Sequence, residues 1–217
     1  FVGFITSLGA AVVAPLLPDI QKEFALTVSQ VGMISAAFGA ARLLLDLPAG
    51  YLVERWNPLK IQVFGVLIVI VGTLASALSG SFLGLLLTRG VSGAGAAFVS
   101  IANLVLMASI GDARHRGRDL GLYQASMQTA FSVGPFFAGL IVPFAGWEGA
   151  FYATAAFAAL ALPLVLKMRN PELGEAYRRH QAEQKPHSAP VIAQNTVDRK
   201  IRSWNILVAH IVSFVLF

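Results

Sequence analysis

The chain has 217 residues, of which 56% are hydrophobic and only 12% charged, and it contains no cysteine. A soluble domain carries about a quarter charged residues, so the composition excludes an ordinary water-soluble globule, and the missing thiols exclude disulfides and thiolate metal sites. The net charge of +5 invites a nucleic-acid reading, but the basic residues sit in loops between apolar runs, as membrane topology requires.

Residues 1–18 form an apolar run with Gly3 and Gly9, closed by Pro15-Leu16-Leu17-Pro18, where proline is expected to stop a first membrane helix. Residues 19–29 read as a short polar loop in which Thr27 or Ser29 caps the next helix. A second helix is expected over 30–51, with Arg42 and Asp46 four apart on one face. Residues 54–60 make a tight polar turn around Asn57-Pro58, with Asn57 available for a left-handed conformation. The third helix, 61–78, carries almost no polar residue, and Ser79-Gly80-Ser81 is a hinge.

The fourth helix begins near Phe82 and contains the residue around which the chain is organised. Arg89 stands about 10 Å inside the helix at 1.5 Å per residue, within a hydrocarbon core about 30 Å thick. Insertion of such a charge costs about 2.5–3.5 kcal/mol. It is tolerated if Arg89 faces a wet cavity or a partner, or if its long side chain snorkels to the surface. Helical spacing from Arg89 runs through Gly93, Ala96, Ser100 and Asn103, a small and polar seam. The run Thr88-Arg89-Gly90-Val91-Ser92-Gly93-Ala94-Gly95 also resembles the glycine-rich turn of short-chain dehydrogenases. That turn requires an amphipathic helix after it, and residues 96–110 offer no charged face, so an enzyme reading is set aside.

A charged loop at 112–119 holds Arg114, Arg116 and Arg118. The fifth helix, 120–144, carries Gln124, Gln128 and Ser132 at helical spacing and the pair Gly134-Pro135. After a turn at 145–149 comes a sixth helix over 149–166. Residues 167–203 are hydrophilic, and 204–217 begin a seventh helix. The expected domains are therefore a transmembrane bundle over 1–168, a central loop over 169–203 and the start of another bundle at 204–217. Both ends lie inside apolar runs, the pattern expected of a piece of a longer protein. Loops after the even helices hold 13 basic residues against Lys22 alone on the opposite side. The positive-inside rule makes them cytoplasmic, in an inner cell membrane. Helices two, four and five carry polar faces while three and six look uniformly lipid-compatible. The fold class is an all-α membrane protein: a six-helix bundle of two inverted three-helix repeats plus the start of a seventh helix.

Four motifs in order, spread over nearly the whole chain, resemble the major facilitator superfamily. Gly50, Glu54, Arg55 and Lys60, following Arg42 and Asp46, look like the signature between helices two and three. Asn57, Pro58 and Leu59 depart from its glycine and basic residues. Arg89-Gly90-Val91-Ser92-Gly93-Ala94-Gly95-Ala96-Ala97 looks like the fourth-helix signature. Leu8-Gly9 with Pro15 and Pro18 resembles the first-helix signature. Gly134-Pro135 with Gly139 resembles the fifth-helix signature of antiporters, diluted by Ala130 and Ala138.

The resemblance implies the N-terminal half of a secondary transporter. It would move a small molecule by alternating access, with proton coupling and efflux, through a site shared with a C-terminal six-helix half. Substrate or coupling candidates are Arg89, Asn103, Gln124, Gln128 and Asp46. Arg42, Gly50, Glu54, Arg55 and Lys60 form the candidate conformational switch. Pro15, Pro18, Gly93, Gly95, Ala97, Gly134, Pro135 and Gly139 are candidates for packing or kinking. Asp46 has the alternative of an ion pair with Arg42 or the Arg55 turn, and the two glutamines that of bonding between helices. Trp147 and Tyr51 read as interfacial aromatics and His210 as a cavity candidate or a packed histidine. The other histidines have no ligand spacing, so neither metal nor cofactor is expected. Nutrient symport or uniport, or a receptor on the same scaffold, are the alternatives; lipid is an expected partner and nucleic acid is not.

Overall fold

The computed structural model describes residues 2–110 and 116–167, and among them every regular element is an α-helix. Helix α1 (Val2–Ala11) and helix α2 (Val13–Glu23) form one membrane-length rod interrupted at Val12. Pro15 explains the break. It offers no N–H, and its ring crowds the carbonyl four residues back, at Ala11, where α1 ends. The expected stop at Pro18 is corrected: α2 runs through Pro18 to Glu23. Leu16 and Ile20, both fully buried, anchor the helix on either side of that proline. The rod closes when Ala25 turns left-handed at φ 48° and the Leu26 N–H donates to the Gln21 carbonyl at 3.0 Å.

Helix α3 (Val28–Arg55) is started by Thr27, not Ser29. Thr27 Oγ1 accepts from the Gln30 N–H at 3.3 Å, and Gln30 Oε1 accepts from the Thr27 N–H at 2.9 Å. This reciprocal pair satisfies two otherwise orphaned donors. Helix α4 (Pro58–Ala77) starts on Asn57, whose φ −65°, ψ 121° corrects the left-handed expectation. A residue before proline is pushed into extended backbone. From there Asn57 Oδ1 accepts from the Leu59 N–H at 2.9 Å. Helix α5 (Phe82–Ile110) begins at the expected residue.

Helix α6 (Arg116–Lys167) has 52 residues and one non-helical residue, Gly146, at φ 67°, ψ −174°. A straight rod of that length would measure about 78 Å, more than twice the hydrocarbon core. It does not stay straight: Phe137 and Phe157 pack with ring centroids 6.0 Å apart, where 20 helical residues would separate them by about 30 Å. The chain therefore doubles back at Gly146 into two arms, 116–145 and 147–167. The described residues hold five elements long and apolar enough to cross a membrane, the last being this folded pair. The sequence expectation of a sixth helix rests on that fold-back.

A close seam lies between α4 and α5. A side chain at Gly95 would meet the backbone of Val69 and Gly65, and one at Gly72 the backbone of Ser92. Small residues let membrane helices approach this closely. The expectation that the third helix is uniformly lipid-compatible is corrected. Half of the most apolar stretch of α4 is buried, against 11% for α3, and Gln62, Thr73 and Ser76 all face inward. Few polar residues made α4 look featureless, but all three lie on its packed side. The second arm of α6 buries Ala158 and Ala161 against Ile5 of α1 and Val69 of α4. Residues 111–115 and 168–217 are outside the described residues. They include much of the charged loop, the central loop, the seventh helix and His210 with the other histidines.

Candidate functional site

Arg89 is the most buried charge of the described chain, only 3% exposed. It does not snorkel. Its guanidinium carbon sits 4.7 Å from the Phe38 ring centroid on α3 and 5.8 Å from that of Phe151 on the second arm of α6. Aromatic faces attract such a cation most where water is excluded. Among the described residues no carboxylate is paired with it, and its Nε has no hydrogen-bond partner. Gly93 permits the arrangement, since any Cβ there would run into the Phe38 carbonyl.

Further along the same face of α5 a second polar group gathers contributions from four helices. Arg42 of α3 donates from Nη2 to Ser100 Oγ at 3.1 Å. Gln62 of α4 donates from Nε2 to Asn103 Oδ1 at 2.5 Å. Tyr123, on the first arm of α6, faces the Asn103 side chain with Arg42 within electrostatic reach. Gln62 Oε1 and Asn103 Nδ2 stay buried without a partner among the described residues, so this group keeps hydrogen-bonding capacity. Asp46 is half-buried one turn beyond Arg42. The sequence reading found Arg42, Ser100 and Asn103 but missed Gln62 and Tyr123. Gln62 carried a signal, as the one side-chain amide in an apolar helix; nothing in the sequence around Tyr123 sets it apart.

Other candidates lie apart from both groups. Gln124 and Gln128 are exposed on the first arm of α6. Neither amide bonds to a described residue. Arg55 is exposed at the end of α3 and stacks on Tyr51 at 4.3 Å, and Lys60 is exposed in the first turn of α4. Gly50 is half-buried, while Gly134 faces Ala11 and Val12 at the α1 break. Ala97 is fully buried, whereas Pro135 and Gly139 are exposed. Of Glu54 only the backbone is described.

Trp147 is corrected from interfacial anchor to core residue. It is 3% exposed, packs edge to face on Phe24 and Phe151, and donates its indole N–H to the Glu23 carboxylate. Beside it a groove of about 440 Å³ is lined by Glu23, Glu148, Tyr152 and the end of α4. Tyr51 is exposed, as an interfacial aromatic would be.

Comparison with known proteins gives this geometry a context. Multidrug resistance protein Stp of Mycobacterium tuberculosis is 30% identical over 177 residues, covering 81% of this chain and 33% of its own length. Multidrug resistance protein 1 of Bacillus subtilis is 31% identical over 170 residues, covering 78% and 43%. The proton:xylose symporter XylE has the same fold at TM-score 0.71 and 16% identity, over 82% of this chain and 47% of that one. A bacterial homolog of the human lysosomal transporter Spinster, inward-facing and occupied, matches at TM-score 0.73 and 18% identity, over 78% and 42%. The chain thus spans less than half the length of each. The family model described as Major Facilitator Superfamily matches residues 1–217, and the chain belongs to that family.

Proposed function

We propose that the chain is the N-terminal half of a proton-coupled efflux transporter that moves small molecules out of the cell by alternating access. The observation that carries the reading is Arg89: a cation held inside a membrane bundle by aromatic faces, with no carboxylate paired to it among the described residues. Such a charge is costly to keep, and one left without an anion is available to an acceptor on a substrate or on the other half of the protein. Efflux is favoured over nutrient uptake because relatives at about 30% identity are named for multidrug resistance. The substrate class that follows is drugs. Asn103, Gln62 and Tyr123 add uncharged polar contacts on the same α5 face. Gln124 and Gln128, outside the half-bundle interior, are left to face the C-terminal half.

The basic turns support a cytoplasmic position for the α3–α4 end of the molecule. The end carrying Glu23, residues 24–27 and Gly146 is then outside, in the orientation of an inner-membrane protein. Arg42, Gly50, Arg55 and Lys60 lie at or toward the cytoplasmic end and serve as the conformational switch.

The test is drug flux by the full-length protein in liposomes, with and without a pH gradient. Arg89→Lys is expected to retain the fold and lose most flux, because an ammonium cannot reproduce the planar stacking of guanidinium between two rings. Parental flux in that variant would remove Arg89 from the mechanism.

A further inference from the structure

A continuous line of contacts joins the buried guanidinium to the outer end of the bundle. Arg89 lies 5.8 Å from the Phe151 ring. Phe151, fully buried, meets Trp147 edge to face, with centroids 6.0 Å apart and planes at 86°. The two are four apart on one helix, so their side chains are neighbours on one face. Trp147 in turn meets Phe24 at 5.9 Å and donates to the Glu23 carboxylate at the end of α2. Each link restricts the next. A charge-assisted hydrogen bond fixes the indole, and edge-to-face packing fixes the neighbouring phenyl ring. That ring is one of two aromatic faces that hold the arginine among the described residues.

We propose that Phe151 is a positioning residue for Arg89, and that the Trp147–Glu23 bond at the outer end holds Phe151 in place. The outer end is thereby coupled to the arginine buried within the membrane bundle. The proposal rests on the reading of Arg89 as a transport residue. Phe38 comes from α3 and Phe151 from α6, so any shift between these helices opens the sandwich. The Glu23 carboxylate also lines the outer groove with Glu148 and Tyr152. Breaking its bond to Trp147 releases the relay at the surface where outward opening would occur.

The experiment uses the full-length transporter in liposomes, labelled with fluorotryptophan, the fluorine resonance lost in Trp147→Phe being that of Trp147. Drug addition should shift this resonance in the parent and not in Phe151→Leu. Phe151→Leu and Glu23→Ala should each lower the maximal rate about thirtyfold with little change in KM, the scale of losing a desolvated cation–π contact. Glu23→Gln, which still accepts the indole N–H, should restore most of the rate. Pentafluorophenylalanine at position 151 keeps the ring's shape and abolishes its attraction for cations, so it should be as slow as Phe151→Leu. Parental rate with that analogue would reduce Phe151 to packing and overturn the proposal. So would parental rates in Phe151→Leu and Glu23→Ala beside an inactive Arg89→Lys, which would leave the arginine's own role standing. An active Arg89→Lys would remove the foundation of both.

Discussion

At the scale of single residues, this chain resolves conflicts between local preference and position. Ala25 sits at φ 48° to close α2, a conformation that costs an alanine roughly 1–2 kcal/mol. Glycine adopts it freely and is the usual residue at such a helix end. Ala25→Gly is therefore expected to stabilise the protein by about 0.5–1 kcal/mol, read as a higher thermal midpoint in detergent. A lower midpoint would mean that the turn is not held left-handed. Asn57 shows the reverse situation. Its type permits a left-handed turn, and the sequence reading favoured that, but the following proline decides the matter. The information was in the sequence, one residue further on. Arg89 was the most legible residue of all, because a lone charge in an apolar run has few physical solutions. Its partners were not legible: Phe38 and Phe151 are 51 residues before and 62 after it, and nothing local marks either ring as facing a cation.

Helix-scale features were easier to foresee as apolar lengths than as packed surfaces. The start of α5 at Phe82 and the turn near Gly146 followed from hydropathy and glycine. Which face of each helix is buried did not, since α4 carries its few polar groups inward and α3 leaves most of its apolar side uncovered. Hydropathy alone cannot separate lipid contact from helix contact, because both environments accept the same side chains. The glycines of α5 supply a sharper criterion. At Gly93 a Cβ would collide with the backbone carbonyl of Phe38, which has no rotamer by which to yield. At Gly90, one turn from the same seam, nothing lies within 4 Å. Gly93→Ala should therefore separate α3 from α5 and cost about 1–3 kcal/mol. Gly90→Ala should be neutral or stabilising by up to about 1 kcal/mol through helix propensity. Thermal midpoints of the two variants of the full-length protein, measured side by side, check this contrast. Equal effects would contradict the close approach.

For the molecule as a whole, charge and packing bear on different questions. The described helices hold one another through aromatic, small-residue and polar contacts: Trp147 against Phe24 at one end, Ala130 and Gly134 against the α1 break midway, Gln62 with Asn103 toward the other. None of these contacts distinguishes inside from outside. That distinction comes from the basic residues, which meet anionic lipid and the insertion machinery on one side only. Lys22 and Lys60 offer a direct measurement, because both are exposed and lie at opposite ends of the bundle. The chain has no cysteine of its own, so Lys22→Cys and Lys60→Cys each give a single thiol within it, once any cysteine elsewhere in the full-length protein has been replaced. In intact cells a membrane-impermeant maleimide should label position 22 and leave position 60 untouched until the membrane is opened. In the expected topology, removing Lys22 takes away the one basic residue of the outer loops and Lys60 one of 13 in the cytoplasmic loops, so neither change should invert the bundle. Labelling of position 60 from outside would reverse the orientation, and with it the assignment of the Glu23–Trp147 end to the outer face.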